Sequence, residues 1–157
     1  MNASLLLPEI FSFRYCGISE HTVALGLLSN RPFGVCPQCK QISHKVHSYY
    51  ERKVNDLPMS GKPVHLRISV RKFFCRQPEC SRKIFAERFD EYLPSYQRRL
   101  QRSNVQVQQI GLGCGSKPGA KLCQLIGLPV SASTVLRVMK KTPLPEYAFG
   151  RVALICG

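Results

Sequence analysis

The sequence predicts an α+β protein in which a small β element precedes a helical region. Two cysteine pairs, Cys36/Cys39 and Cys75/Cys80, flank a segment in which apolar and polar residues alternate. Alternation with a period of two is typical of a half-buried strand. Beyond Phe89 the apolar residues recur at helical spacing instead. The chain has 157 residues, which is enough for one or two small domains.

The charge of the chain predicts a polyanionic partner. Lys and Arg total 23 against 9 Asp and Glu, so the formal net charge is +14. Residues 1–35 have no net charge, whereas residues 36–102 carry +9 and residues 103–157 carry +5. This excess argues against an acidic solvating tail and an ordinary metabolic enzyme, and it favours nucleic acid before an anionic membrane surface.

The sequence predicts no membrane span and no secretion signal. The apolar stretch at residues 22–28 is far shorter than the ~20 residues of a spanning helix. Leu5–Leu7 has no basic segment before it and is followed at once by Pro8 and Glu9. We therefore expect a reducing cytosol, where spaced cysteines bind metal more often than they form disulfides.

Three strands and a turn are predicted in the first half of the chain. Residues 22–28 are expected to form a strand because they are an apolar run followed by the turn residues 29–32, and residues 44–54 because they are rich in Val and Tyr. Residues 56–63 contain two prolines and a glycine, which predicts a turn. The third strand follows, with four aliphatic residues on one face and polar or basic residues on the other: Val64, Leu66, Ile68 and Val70 against His65, Arg67, Ser69 and Arg71.

Helices are predicted in the second half. Tyr92, Tyr96 and Leu100 recur every four residues, so a helix is expected there, continuing through Val107 and ended by the glycines of residues 111–115.

Two shorter helices are expected next, at about residues 118–126 and 131–141, with Gly127–Pro129 between them. Ser131 or Ser133 would cap the second helix, and the prolines at positions 143 and 145 would stop it. The expected inward residues are Leu122, Leu125 and Ile126 from the first helix and Val135, Val138 and Met139 from the second.

The cysteine pairs predict a structural metal site. The gaps within Cys36/Cys39 and Cys75/Cys80 are two and four residues, the usual range for paired zinc ligands. The residues between the pairs suffice for two antiparallel strands and a turn, which would bring both pairs to one end of a hairpin. Four thiolates around one Zn²⁺ form a closed site that is structural and not catalytic. Such a hairpin is a zinc ribbon.

Interpretations in which these residues bind no metal remain open. Four unrelated buried cysteines would act as small apolar side chains. His44 and His47 follow the first pair and are alternative ligands, although polar strand positions suit them better. The remaining cysteines have no near partner and are expected to be free or buried thiols: Cys16, Cys114, Cys123 and Cys156.

The two short helices fit a helix-turn-helix, in which the second helix lies in the major groove of DNA. Any helical hairpin of a small domain has this pattern, and a basic sheet face can simply be solvated. On the DNA-binding hypothesis the base readers would be Ser131, Ser133, Thr134 and Arg137, with Lys140 and Lys141 on phosphates. The expected phosphate contacts from the ribbon are Arg67, Arg71, Lys72, Arg82 and Lys83.

Seven stretches of the chain carry recognisable motifs. In chain order they are Cys36-Pro37-x-Cys39, Ser43-His44-x-Val46-His47-Ser48-x-Tyr50, Asp56-Leu57-Pro58, Gly61-Lys62-Pro63-Val64, Val70-Arg71-Lys72-Phe73-Phe74-Cys75, Cys80-Ser81-Arg82-Lys83-Ile84-Phe85-Ala86-Glu87-Arg88 and Gly127-Leu128-Pro129-Val130-Ser131. Together they resemble the N-terminal region of the ISL-three family of bacterial insertion-sequence transposases. The resemblance covers roughly residues 5–145 and is most specific from Cys36 to Arg88.

The resemblance implies a zinc ribbon, then a helix-turn-helix, then an RNase H-like domain with a DDE triad that binds two divalent metals. The first two modules would recognise the terminal inverted repeats of the element. We expect the parts of this chain to be a strand segment at 1–35, the ribbon at 36–90, the helix-turn-helix region at 91–145 and a tail at 146–157.

The sequence departs from this pattern at its end. The strand-like residues 151–157 contain no carboxylate, and Glu146 is the one acidic residue after Arg102. Two-metal catalysis requires several convergent carboxylates. We therefore expect a truncated or frame-shifted transposase that is not an enzyme by itself and acts at the bacterial nucleoid. A full-length relative would be a second partner, because both proteins would compete for the same double-stranded transposon ends. The alternative is a zinc-ribbon module that binds other proteins or nucleic acids without a role in transposition.

Overall fold

The computed structural model of the chain describes residues 9–141 and has an α+β fold. The predicted tail at 146–157, Cys156 and the helix-stopping prolines lie outside these residues. The strands within residues 9–141 are β1 Phe11–Ile18, β2 Val23–Ser29, β3 Gly34–Val35, β4 Ile42–Ser43, β5 Val46–Met59, β6 Lys62–Phe74 and β7 Ile84–Ala86. The helices of this described part are α1 Gln101–Cys114, α2 Ser116–Leu125 and α3 Ala132–Met139.

A long hairpin of β5 and β6 is the axis of the structure. The main sheet has the order β1-β2-β6-β5, with β7 pairing the end of β6. β2 runs parallel to β6, while β1/β2, β5/β6 and β6/β7 are antiparallel. The 13 residues of β6 span roughly 43 Å at ~3.3 Å per residue, so the two ends of the hairpin are far apart. The sheet therefore crosses the boundary expected at residue 35, because β2 belongs to it.

The main core lies on one face of this sheet. Val64, Leu66, Ile68 and Val70 of β6 are all buried, as the alternation predicted. The segment 89–100 covers them with three buried side chains, Phe89, Leu93 and Leu100. In the β5/β6 register, every second cross-strand pair of side chains lies on the same face of the sheet. This alternation determines which residues of the two strands are buried.

The predicted turn at residues 56–63 is wrong in length. β5 continues to Met59 and β6 begins at Lys62, so only Ser60 and Gly61 turn, both with positive φ (51° and 74°). A two-residue loop with both residues in this region matches the right-handed twist of the strands. Pro58 is accommodated at a register irregularity between Asp56 and Met59.

The helix expected from Tyr92 to Leu100 is also wrong. This segment is irregular, and Tyr96 has a φ of 64°. Helix α1 begins only at Gln101 and ends at Cys114 with Gly115 as its C-cap, so it ends within the predicted glycine stretch, although Gly111 and Gly113 lie inside the helix. Gly111 persists inside the helix because a Cβ there would overlap Val135 and Met139 of the neighbouring α3. Close helix packing, which local spacing does not report, outweighs the low helix propensity of glycine.

Candidate metal centre and nucleic-acid interface

The first cysteine pair lies in a tight knuckle between β3 and β4. The backbone N–H of Cys36 donates to the carbonyl of Gln41 at 2.9 Å, and the N–H of Lys40 donates back to the carbonyl of Cys36 at 3.0 Å. Lys40 has a φ of 63°, which turns the chain sharply after Cys39. These bonds direct both sulfurs to the same side of the turn.

The second pair is placed by the end of β6. Cys75 directly follows Phe74, the last residue of that strand, and its N–H donates to the carbonyl of Lys83 at 2.8 Å. The N–H of Cys80 donates to the carbonyl of Gln77 at 3.1 Å and closes the second knuckle. The hairpin therefore supplies one pair, and the β3/β4 turn brings the other pair to it.

The four sulfurs form one cluster whose dimensions suit a zinc ion. All four Sγ atoms lie within 4.8 Å of one another. The Cys36–Cys80 separation is 4.0 Å and the Cys39–Cys75 separation is 3.5 Å. Tetrahedral Zn²⁺ with Zn–S bonds of ~2.3 Å requires sulfurs roughly 3.8 Å apart. The predicted ligand set and its single structural Zn²⁺ are therefore confirmed.

The electrostatics of the cluster favour a bound cation. Burial tends to raise the pKa of the Cys36 thiol, but the backbone N–H groups of Cys39 and Gln38 outweigh it and lower the pKa to about 7. The N–H of Gln77 lowers the pKa of Cys75, but burial and the other three sulfurs raise it to about 12. The Cys36 thiol thus ionises readily. A second thiolate would place two negative charges close together among the four sulfurs, and a metal cation is needed to stabilise them.

A small apolar cluster supports the metal site. Phe73 and Phe85 are buried beside Cys36 and Cys80, and their rings stack with centroids 5.9 Å apart. Gly34 of β3 lies against Phe73 so closely that any Cβ would overlap the ring. The packing fixes the sulfurs from one side, so the site has a defined second layer of contacts.

Neither histidine near the first knuckle belongs to the metal cluster. The ring of His44 lies edge-on to Phe33, and the ring of His47 lies edge-on to Phe74 with centroids 4.8 Å apart. Among residues 9–141, the four cysteines are the one group with the ligand geometry of a metal site. The other described thiols, Cys16, Cys114 and Cys123, are free; Cys123 is buried.

The basic residues expected on the ribbon occupy different positions. Arg67 is exposed on the outer sheet face and lies 3.6 Å from the carboxylate of Glu51. Lys72 is half-buried, with its ammonium 5.4 Å from the centre of the Tyr50 ring. Arg82 and Lys83 are exposed beside the second knuckle, where the Lys83 ammonium donates to the carbonyl of Pro78.

Arg71 differs from this set because it is held inside the structure. Its guanidinium forms a two-point ion pair with the buried Glu87, with donor distances of 3.1 and 2.8 Å, and also donates to Ser29 and to the carbonyl of Arg31. Its side chain is only 16% exposed. We therefore assign Arg71 to the stability of the β2/β6/β7 junction and leave it out of the exposed cationic surface.

The helical pair has the predicted boundaries within two residues. Gly127 has a φ of 85°, and Leu128 is buried directly after it. The hydroxyl of Ser131 accepts from the N–H of Thr134 and caps α3, as predicted for one of the two serines. The basic side chains Arg137, Lys140 and Lys141 are exposed on and after this helix.

The inward face of the helical pair is partly different from the prediction. Val135 and Val138 are buried and Met139 packs against them, as expected. Leu122, Leu125 and Ile126 are exposed instead, and Gly119 and Cys123 face the interior. The prediction packed α2 against α3 alone. In the structure α1 also belongs to this core, to which it contributes Val107, and α2 therefore turns a different face inward than predicted.

Several cationic residues near the metal site and α3 were not predicted from the sequence. Lys40, Lys45 and Arg76 surround the metal knuckles and are exposed, and their position next to the cysteine pairs was an available signal. Arg99 is half-buried, and burial together with the positive charge of nearby Arg137 lowers its pKa. No local pattern predicted that Arg99 and Arg137, far apart in sequence, lie together.

Comparisons with known proteins identify the metal-binding segment. Residues 32–83, about a third of the chain, match the family described as the zinc-finger of transposase IS204/IS1001/IS1096/IS1165. No curated protein and no solved structure matches the chain. Within residues 9–141, no helix is long and apolar enough to cross a membrane. The resemblance expected from the sequence is thus confirmed over the ribbon, where residues 32–83 match the zinc-finger of these transposases.

Proposed function

We propose that the chain is the DNA-binding region of an insertion-sequence transposase and recognises the terminal inverted repeats of its element. The observation that carries this proposal is the zinc ribbon of a transposase family on a chain of net charge +14. A structural metal site holds a fold in shape but performs no chemistry on DNA. The function therefore depends on the surfaces that the fold presents.

The helical pair α2/α3 is the proposed helix-turn-helix. Helix α3 has eight residues and is about 12 Å long. The diameter of an α-helix with its side chains, ~10–12 Å, fits the ~12 Å width of the major groove. Its N-terminal residues Ser133 and Thr134 would meet base edges, with Arg137 one turn further along. Lys140 and Lys141, at its C-terminal end, would contact phosphates.

Clustered cations support a phosphate contact beside α3. Arg99 and Arg137 lie close enough for the charge of one to lower the pKa of the other. Like charges held together in a fold attract an anion, and a DNA phosphate would neutralise both. We therefore add Arg99 to the proposed interface, together with the exposed Arg67, Arg82 and Lys83 and the half-buried Lys72 of the ribbon.

We further propose that this chain does not cleave DNA by itself and acts in the bacterial cytoplasm at the nucleoid. The scarcity of carboxylates after Arg102 supports this, because two-metal strand transfer requires several of them. A full-length transposase is the proposed second partner, as a competitor for the same repeats. Incubation with supercoiled DNA and Mg²⁺ tests the first point, and nicking would contradict it.

Binding of zinc-loaded protein to an inverted-repeat duplex tests the proposal. Fluorescence anisotropy should show tighter binding to the repeat than to a scrambled duplex of equal length. The slope of log K against log[salt] should be about −0.9 for each neutralised phosphate. Equal affinity for both duplexes would contradict repeat recognition, and a slope near zero would contradict DNA binding.

A protein-binding function is the second candidate, and exposed leucines on the helices favour it. Leu122, Leu125 and Leu136 are 42%, 82% and 44% exposed. Contiguous exposed apolar patches mark interaction sites, and these three leucines are the residues that would form one. If this surface is the functional one, Leu125→Ser should abolish self-association or partner binding in ultracentrifugation and leave DNA affinity unchanged.

A further inference from the structure

A groove beside the metal end has the chemistry of a site for an unpaired nucleotide. It lies between the first half of β5, Pro37 of the first knuckle and the residues Ser95 and Tyr96, and its volume is about 320 Å³. That volume is at the lower end of the ~300–1,000 Å³ of small-ligand sites. Its floor is apolar, formed by the buried Phe89 and Leu93.

Two tyrosines line the groove. Tyr50 is 36% exposed, and the Lys72 ammonium lies over its ring. Tyr96 is 99% exposed, so its ring has almost no contact with the protein. An aromatic ring with both faces in water is costly to hydrate and is available to stack on a base.

The backbone of Tyr96 is strained to hold this position. The N–H of Gln97 donates to the carbonyl of Pro94, so Tyr96 is the third residue of a turn, and its φ is 64°. Glycine or asparagine is usual at such a position because a side chain there clashes with the backbone. Strain of this kind persists where the surroundings enforce it, and it clusters at functional sites.

Arg52 enforces this conformation from below. Its guanidinium donates to the carbonyls of Pro94 and Gln97 at 3.2 and 2.9 Å. The turn that carries Tyr96 is therefore fixed to β5, and the ring is presented from a preformed support. Preorganisation reduces the entropy that a ligand must overcome on binding.

The rim of the groove is cationic. Arg82 and Arg88 line it, and in the described part of the chain no carboxylate lies within ion-pair distance of Arg82. Arg88 has only a long contact of 3.9 Å to Asp90. The remaining carboxylate in the lining, Glu87, is neutralised by Arg71. The charge of the groove thus suits a phosphate next to a stacked base.

We propose that this groove binds an unpaired nucleotide of single-stranded DNA, with the base on Tyr96 and Tyr50 and the phosphate at Arg82 and Arg88. The site extends the proposed function, on which it rests, because it assigns a frayed or extruded strand to a surface distinct from α3. The face of a stacked base is common to all four bases, so binding there is independent of sequence.

The experiment compares two DNA probes on the full zinc-loaded chain. The first is a fluorescent single-stranded oligodeoxythymidine 12-mer that contains one 2-aminopurine, and the second is a blunt inverted-repeat duplex. Tyr96→Gly should weaken single-strand binding about 5- to 150-fold, the range for one stacked base, and abolish quenching of 2-aminopurine. The same variant should change duplex affinity less than twofold.

Thermal unfolding separates loss of the ring from loss of the fold. Glycine relieves the positive φ, so Tyr96→Gly should raise Tm by about 2–6 °C or leave it unchanged. Tyr49→Leu is the matched control, because Tyr49 is 63% exposed on the opposite face of β5 and should have no effect on either probe. Arg82→Gln should weaken single-strand binding, whereas Arg14→Gln, which changes an exposed arginine of β1 outside both proposed DNA surfaces, should leave it unchanged.

The outcomes distinguish this inference from the proposed function. If Tyr96→Gly binds the single strand with wild-type affinity, the groove assignment is overturned. It is also overturned if polyglutamate displaces the single-stranded probe as well as DNA of the same charge does. Duplex binding without single-strand binding overturns the groove assignment alone. Single-strand binding lost in Tyr96→Gly, with no duplex binding by the wild type, supports the groove and overturns repeat recognition.

Discussion

The two ends of the β5/β6 hairpin are stabilised by different means. At the metal end, four thiols and the small cluster of Phe73 and Phe85 hold two knuckles together. At the turn end, three helices share an apolar core and are attached to the hairpin by polar contacts. Neither apolar cluster is large enough to fold by itself, so each end depends on something beyond burial.

The attachment of the helical end is visible in four contacts. The N–H of Leu100 donates to the carbonyl of Asn55, and the N–H of Asn55 donates to the carbonyl of Arg98. The Arg102 guanidinium pairs with the buried carboxylate of Asp56 at two points. The hairpin turn also lies directly against Gly127. One end of the hairpin therefore depends on an ion supplied from solution, whereas the other depends on contacts within the chain itself.

Zinc removal should therefore have the largest effect and should act at one end only. Structural zinc contributes apparent binding energies of ~10–16 kcal/mol in small ribbons and fingers. Cys75→Ser should lose its bound zinc, and its amides from residues 34–46 and 73–86 should lose protection from hydrogen exchange. Amides of α1–α3 should keep most of their protection.

Cys16→Ser is the control for this variant, since Cys16 is an exposed thiol outside the cluster. It should retain one zinc per chain. Simultaneous loss of exchange protection at both ends in Cys75→Ser would break the comparison and show that the hairpin folds as one unit.

The next effect is expected at the junction of the metal end with the main sheet. Glu87 is 2% exposed, so Glu87→Gln leaves the Arg71 charge without its partner in a mostly buried place. Breaking a buried pair from one side costs ~3–5 kcal/mol, and we expect a loss in this range in urea unfolding of the zinc-loaded protein.

The exposed pair of Arg67 and Glu51 provides the matched measurement for this junction. Their side chains are 49% and 45% exposed, so Glu51→Gln should cost less than ~1 kcal/mol. Equal losses in the two variants would mean that burial does not decide the strength of these pairs.

Gly127 gives a smaller test at the helical end. A Cβ there would overlap the carbonyl of Gly61, and the φ of 85° is itself unfavourable for alanine by ~1–2 kcal/mol. Gly127→Ala should therefore lower the free energy of unfolding by at least ~2 kcal/mol and loosen the helices from the hairpin, as seen by hydrogen exchange.

Gly113→Ala is the matched control, because Gly113 lies inside α1 and a Cβ there meets nothing within 4 Å. This change should stabilise the protein by ~0.5–1 kcal/mol. A destabilisation by Gly113→Ala would show that the two glycines do not differ in the way described.

The sequence predicted the metal end better than the helical end, and the physical reason lies in the residues. Metal binding can be predicted directly from the pairs Cys36/Cys39 and Cys75/Cys80, because few other kinds of site use two close cysteine pairs. The period-two pattern from Val64 to Val70 predicts that its aliphatic side chains are buried. Both signals are local, and both are confirmed by the structure.

The errors come from contacts between distant parts of the chain. Arg71 looks like an exposed cation until Glu87 of another segment is brought next to it. Leu122 and Leu125 look like core residues until α1 supplies Val107 and rotates α2. Tyr92, Tyr96 and Leu100 have helical spacing, but Arg52 and Asn55 of β5 bind the backbone of this segment in an irregular form.

The smallest effect separates two roles of Ser131, which the sequence assigned both as a cap and as a base reader. Its hydroxyl accepts from the N–H of Thr134, so Ser131→Ala should cost ~1 kcal/mol of stability. Ser131→Asp should restore that stability, because aspartate is an equally good cap with favourable charge at a helix N-terminus. If α3 approaches DNA with this end, the added negative charge should still weaken duplex binding. Full rescue of both stability and duplex affinity in Ser131→Asp would place the N-terminus of α3 away from the DNA.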